Sequence, residues 1–326
     1  MLQADVVGCP TLLATVSQKP GAVDTVRGVR IVSLLPSATE VLFEVGAGDE
    51  VVGVTFECDF PEEARTRRIV STSALRPGMT PAEIDAEVRQ RIAAGEDIYR
   101  LDEGALSELT PDLVVTQDLC AVCAVDVSSV DAAMAHLGCD GRVLTIDPQT
   151  LDEVVESIVT IGTATGYEAR ARELAAAASE RLAAVEKAVA GLGRPKVAVV
   201  EWTDPPFCAG HWVPDMVTVA GGVALLGRPG ENSQRISWDD VAAAGPDLVV
   251  IAPCGYRLEG AVELAKHAIA AGATPVGVPV WAVDADAAYV RPGPRLVDGV
   301  EALAGVLHPD VMPSRPEHAT YVGIRP

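Results

Sequence analysis

Four cysteines stand where thiol chemistry can happen: Cys58, Cys120, Cys123 and Cys254. The C-x-x-C spacing of Cys120 and Cys123 lets two thiolates chelate one soft centre, a zinc ion or an iron–sulfur cluster. His211 is the nitrogen donor that could join them. Small thiols buried at helix starts are the competing account of the same residues. Seven cysteines, an odd number in a large chain, do not look like a disulfide framework. Cys139, in a turn, reads as structural and Cys208 as filler.

The elements that must position these groups can be read from length and pattern. With 326 residues, 49% of them hydrophobic and 22% charged, the chain can bury a substantial core. Its formal charge of -21 repels phosphate backbones and anionic lipid, which argues against nucleic acid as a partner. No apolar run is long enough to span a membrane. Asp5 interrupts the first apolar stretch and no basic segment precedes it, so a cytoplasmic location is expected and Val6-Val7-Gly8-Cys9 is taken as a chance likeness to a lipoprotein box.

Strands are expected at 30–35, 50–54, 112–116 and 142–146, alternating with helices near 37–46, 81–95, 103–109 and 128–137. Ser37 and Glu40 fit a capping box for the first of these helices. Residues 151–192 are helical in pattern, divided by Gly162 and Gly166. The last part, about 168–192, would span on the order of 37 Å, enough to bridge two domains. A second series of strands at 196–201, 247–252 and 279–283 alternates with helices up to about 307. This alternation predicts an α/β fold of two Rossmann-like lobes with parallel sheets, joined by one long interdomain helix. The expected boundaries are an arm at 1–27, a first lobe at 28–148, a helical linker at 149–193, a second lobe at 194–310 and a tail at 311–326. The pentapeptide PDLVV occurs at 111–115 and again at 246–250, each time ahead of a cysteine, as lobe duplication or convergent lobe design would give.

Ligands of open parallel sheets bind beyond the carboxyl ends of the strands. The residues just past each expected strand are therefore the site candidates. The first lobe contributes Ser37, Phe56, Glu57, Cys58, Gln117, Asp118, Cys120 and Cys123. The second contributes Trp202, His211, Trp212, Cys254, Tyr256, Tyr289 and Arg291. The segment 201–212 (EWTDPPFCAGHW) mixes proline, glycine and aromatics, and is expected to be a functional loop. No hydrolase elbow, Walker loop or dinucleotide fingerprint comes after any strand.

The segments RIVSLLPSATE (30–40), ECDFPEEA (57–64), TQDLCAVCAV (116–125), EWTDPPFCAGHWVPDMVTVAGG (201–222) and YVRPGPRLVDGVEALA (289–304) carry a resemblance. They are similar to the cobalamin-binding branch of the class III periplasmic-binding-protein (TroA-like) superfamily, over about residues 28–308. The resemblance implies a cobalamin or related metal-containing ligand held between the lobes. Phe56, Trp202, Trp212, Tyr256 and Tyr289 would then form an aromatic surface, with His211 or a thiolate approaching the metal. Family members deliver such ligands to an ABC transporter, a partner that requires export. The alternative is a cytoplasmic metal or iron–sulfur protein, a biosynthetic enzyme among the options, ligated by Cys58, Cys120, Cys123 and Cys254.

Overall fold

A computed structural model of the chain describes residues 28–117 and 141–326. Two six-stranded sheets form the centres of two lobes. The first holds β1 (Ile31–Ser33), β2 (Val51–Thr55), β3 (Arg68–Ser73), β4 (Tyr99–Leu101), β5 (Leu113–Thr116) and β6 (Arg142–Thr145), in the order 4-3-2-1-5-6. All its neighbours run parallel except β3 and β4. Its helices are α1 (Pro36–Glu44), α2 (Pro81–Ala94) and α3 (Glu103–Leu109). Two more helices, α4 (Leu151–Thr165) and α5 (Glu168–Val189), come next.

The second sheet holds β7 (Lys196–Thr203), β8 (Pro206–Cys208), β9 (Val223–Leu225), β10 (Leu248–Ile251), β11 (Pro279–Val283) and β12 (Ala319–Ile324). Its order is 12-11-10-7-8, with β9 also beside β7. The helices around it are α6 (Val213–Val219), α7 (Trp238–Ala243), α8 (Leu258–Ala270), α9 (Ala285–Ala288) and α10 (Leu296–Leu307).

The central strands are apolar on both faces, as sheets covered by helices on both sides require. Leu113 and Val115 of β5 enter one core while Val114 enters the core on the opposite face. Leu248 and Val250 of β10 divide from Val249 and Ile251 in the same way. The two PDLVV segments begin these strands with the same bracket. Arg30 donates its N–H to Asp112 Oδ2 at 2.8 Å, and the Asp112 N–H returns to the Arg30 carbonyl at 2.8 Å. Lys196 and Asp247 repeat both bonds, at 2.7 and 2.8 Å.

The bridge between the lobes consists of two helices. Ala171 and Ala175 of α5 pack in the first lobe's core, and Leu182, Val185 and Val189 in the second's. Helix α4 runs the other way, with Leu151 and Val154 in the second core and Ile158 and Ile161 in the first. Gly166 separates them in a left-handed conformation (φ 85°), whereas Gly162 lies inside α4. A methyl group at Gly162 would sit 2.2 Å from the Ala171 Cβ, so this glycine serves close helix contact and does not divide the helices.

Three expectations change. Helix α1 starts at Pro36 with Leu35 as its N-cap and no side-chain cap; proline at the first helical position sets the N-cap two residues earlier than the expected box with Ser37 as cap. Segment 201–212 is ordered as a hairpin of β7 and β8 before it turns into α6. The expected C-terminal tail carries β12, antiparallel to β11. The helix expected at 128–137 lies outside the described residues. No helix among the described residues is long and apolar enough to cross a membrane.

Candidate ligand cleft between the lobes

The strand ends of the two sheets meet along a polar seam, and arginines of the second lobe reach carboxylates and a carbonyl of the first. Arg291, beyond β11, donates to Asp59 Oδ1 at 2.6 Å and to the Glu57 carbonyl at 3.2 Å. Its Nη2 also binds Asp286 Oδ2 of its own lobe at 2.8 Å. Arg257, beyond β10, donates to the other oxygen of Asp59. Arg295 grips Glu40 of α1 through two nitrogens, its Nε at 2.8 Å, and its guanidinium lies 4.2 Å from the centre of the Phe60 ring. The indole N–H of Trp202 reaches the Pro81 carbonyl, 3.2 Å away in the first lobe.

These contacts set the protonation of the acids. Burial pushes Asp59 up, but Arg291 and Arg257 outweigh it and hold the carboxyl at about 2. Burial raises Glu57 to about 7, although Arg291 and a hydrogen bond from the Tyr99 hydroxyl to Oε2 (3.1 Å) pull it partly back. Burial likewise raises Glu40 and Asp286 against their arginine partners. One face of the seam thus carries a firmly ionised carboxylate beside one that titrates near neutrality.

Aromatic rings flank the seam on both sides. Phe56, 40% exposed, packs against Tyr99 with ring centres 6.2 Å apart. Trp202 and Tyr256, both half-buried, are 5.9 Å apart on the second lobe. Ser37 is buried with no hydrogen-bond partner for its hydroxyl, and Gln117 is buried at the end of β5. His211 is half-buried in a left-handed conformation (φ 51°). That geometry is fixed by its N–H bonding the Glu231 carbonyl at 2.7 Å and its carbonyl accepting from the Gly230 N–H at 3.1 Å. Its Nε2 lies 3.0 Å from Asn232 Oδ1, and burial lowers its pKa, which favours the neutral ring.

Two expected cleft aromatics belong to the scaffold. Trp212, 5% exposed, donates its indole N–H to the Tyr289 carbonyl at 2.7 Å, and Tyr289, fully buried, donates its hydroxyl to the Gly299 carbonyl at 2.9 Å. Each turns inward because its polar atom finds a backbone partner inside the second lobe's core.

Of the four expected thiol ligands, Cys58 and Cys254 are described. Cys58 is 2% exposed, its sulfur lies 3.0 Å from the Thr39 hydroxyl, and burial pushes its thiol up to about 12. Burial holds this thiol in its neutral form, and the Thr39 contact offsets that only in part. Cys254 is half-buried at the end of β10, and Asp118, Cys120 and Cys123 lie outside the described residues. Among the described residues no cluster of three His, Cys, Asp or Glu side chains is placed to hold a metal ion.

Sequence reasoning placed Asp59 at a strand end, and missed Tyr99, Arg257 and Arg295. Arg257 directly succeeds Tyr256, a strand-end residue already singled out, and carried the same positional signal. Tyr99 carried none, since it comes from a short antiparallel edge strand.

Residues 31–277 match the family model described as periplasmic binding protein. The chain is 26% identical over 297 residues to an uncharacterized ABC transporter substrate-binding lipoprotein, YvrC, of Bacillus subtilis, covering 86% of this chain and 80% of that protein. It is 26% identical over 286 residues to a cobalamin-binding protein of Halobacterium salinarum, with 86% and 69% covered. Among solved structures, a periplasmic heme-binding protein of Pseudomonas aeruginosa superposes with a TM-score of 0.67 at 21% identity, covering 91% of this chain and 99% of that one. The periplasmic vitamin B12-binding protein BtuF of Vibrio cholerae gives 0.59 at 20%, with 85% and 96% covered. Relatives described as a lipoprotein and as periplasmic proteins overturn the expected cytoplasmic location, and they lend no support to the iron–sulfur alternative.

Proposed function

We propose that this chain, which belongs to the periplasmic binding protein family, captures a corrinoid, cobalamin, between its lobes and presents it to an ABC transporter. The observation that carries this reading is the pairing of Phe56 with Tyr99 on one lobe and Trp202 with Tyr256 on the other, along a single seam. Large flat ligands are held by such rings, with a few polar groups fixing their orientation. Ser37, Glu57, Gln117 and Arg291 supply those polar groups, and the neutral His211 is the candidate donor to a bound metal. The cobalamin-binding relative from Halobacterium supports the choice of ligand.

Capture requires the cross-lobe contacts of Arg257, Arg291, Arg295 and Trp202 to part and re-form. Helices α4 and α5 pack into both cores, so the lobes can rock about them but cannot separate widely. Titration with hydroxocobalamin, monitored by visible absorbance and heat, is expected to saturate at one ligand per chain. No heat and no spectral change would remove the corrinoid reading, and saturation by hemin alone would replace it with heme.

A further inference from the structure

The first turn of α1 combines three features that are unusual together. Its N-cap, Leu35, offers no side-chain acceptor, and the turn contains no acidic residue. Pro36 has no N–H, while the N–H groups of Ser37 and Ala38 precede the first carbonyl the helix can pair. Among the described residues, the Thr39 N–H is the first of this helix to find a partner, bonding the Leu35 carbonyl at 3.0 Å. The second feature is the Ser37 hydroxyl, 1% exposed and without a partner, although buried polar atoms are normally bonded. The third is the cover over it. A methyl group at Gly293 would lie 3.3 Å from the Ser37 Cβ and 3.6 Å from Glu40 Oε2, so the second lobe rests directly on this turn. Gly293 is flanked by Arg291 and Arg295.

We propose that this turn is an oxyanion subsite of the cleft, taking one phosphodiester or carboxylate group of the bound ligand. Unpaired N–H groups at a helix N-terminus favour an anion, and the Ser37 hydroxyl adds a donor, while Arg291 is engaged by Asp59 and Asp286 and offsets those carboxylates. Glu40 is the opposing charge, and Arg295 already neutralises it. Lifting the 292–294 segment off Ser37 opens the place for the oxygen. The inference rests on the ligand-binding reading of the cleft and narrows it: the cargo carries a negative group at a fixed distance from its flat ring system.

Two arms test it. In the first, inorganic phosphate at constant ionic strength should raise the thermal midpoint of the wild-type protein by about 2–4 °C and leave Ser37→Ala unmoved. An equal response of the two proteins, or none in either, overturns the subsite whatever the cargo is. In the second, wild-type protein should bind cyanocobalamin, which has a phosphodiester, about tenfold more tightly than cobinamide, which lacks it. Ser37→Ala should narrow that gap by weakening cyanocobalamin more than cobinamide, and the thermal midpoint of the unliganded variant reports that it is folded. Equal wild-type affinities for the two corrinoids, or equal weakening of both by the substitution, count against the subsite. If neither corrinoid binds but hemin outcompetes its dimethyl ester, and Ser37→Ala removes the difference, the subsite stands for a carboxylate and the corrinoid reading falls.

Discussion

The strands beginning at Leu113 and Leu248 sit in different lobes, yet the same aspartate bracket starts both, and both bury every side chain. Their far ends differ. The first runs into buried Gln117, while the second opens into Cys254, Tyr256 and Arg257, of which the last two reach a partner tryptophan and the other lobe. The starts are alike because closing a parallel sheet poses the same hydrogen-bonding problem twice. The ends diverge because they face each other and must be complementary. On the proposed function, the fold is decided at the strand starts and the ligand at the strand ends.

The sharpest way to break that division is a strand-end aromatic that belongs to the scaffold. Trp212→Ala should cost about 3–5 kcal/mol of stability, read as a lower denaturant midpoint, because a buried indole and its bond to Tyr289 are both lost. Trp202→Ala, ten residues earlier, should leave the midpoint nearly unchanged and weaken cobalamin binding by about 1–2 kcal/mol, measured by titration. If both substitutions chiefly destabilise, the seam is scaffold and the division fails.

Asp112→Ala and Asp247→Ala sharpen the other half. Each should cost about 1 kcal/mol, similar in the two lobes and without effect on ligand affinity, since each removes the side-chain half of one bracket distant from the seam and leaves the backbone bond in place.

A pH dependence is also seated at the strand ends. Glu57, whose ordinary value is 4.5, is raised to about 7 in the folded protein, which therefore holds its proton longer than the unfolded chain does. Its contribution weakens as pH climbs from about 4.5 to about 7, and Glu57→Gln should flatten that slope in denaturant titrations. Asp59 works in the opposite sense. Held at about 2 against an ordinary 3.8, it stabilises above that range and loses its contribution as pH falls from 3.8 towards 2.

Much of the scaffold was legible in the residues. PDLVV marked both central strands, and Pro81 and Gly95 bounded α2 within a residue, because proline fixes a helix start and Gly95 takes the left-handed turn at its end. The strands β3, β4, β8, β9 and β12 were not legible. They are short or exposed, and their sequences lack the alternation of a half-buried strand.

The site was legible as a set of strand ends and illegible as a geometry. Trp212 and Trp202 look alike in sequence, and only the burial of the first against Tyr289, 77 residues away, separates them. Cys58 looked like a ligand because thiols are rare, whereas its environment, a neighbouring hydroxyl and no solvent, is set by packing. The cross-lobe arginines find their acids roughly two hundred residues away, beyond the reach of any local pattern.

The facing of the two sheet edges, with cargo trapped between them, can be tested by locating one atom. Crystals grown with hydroxocobalamin and measured at the cobalt absorption edge should show a single anomalous peak in the seam, between the Phe56–Tyr99 pair and the Trp202–Tyr256 pair. A peak on the outer face of either lobe, with the seam unchanged, would contradict the account.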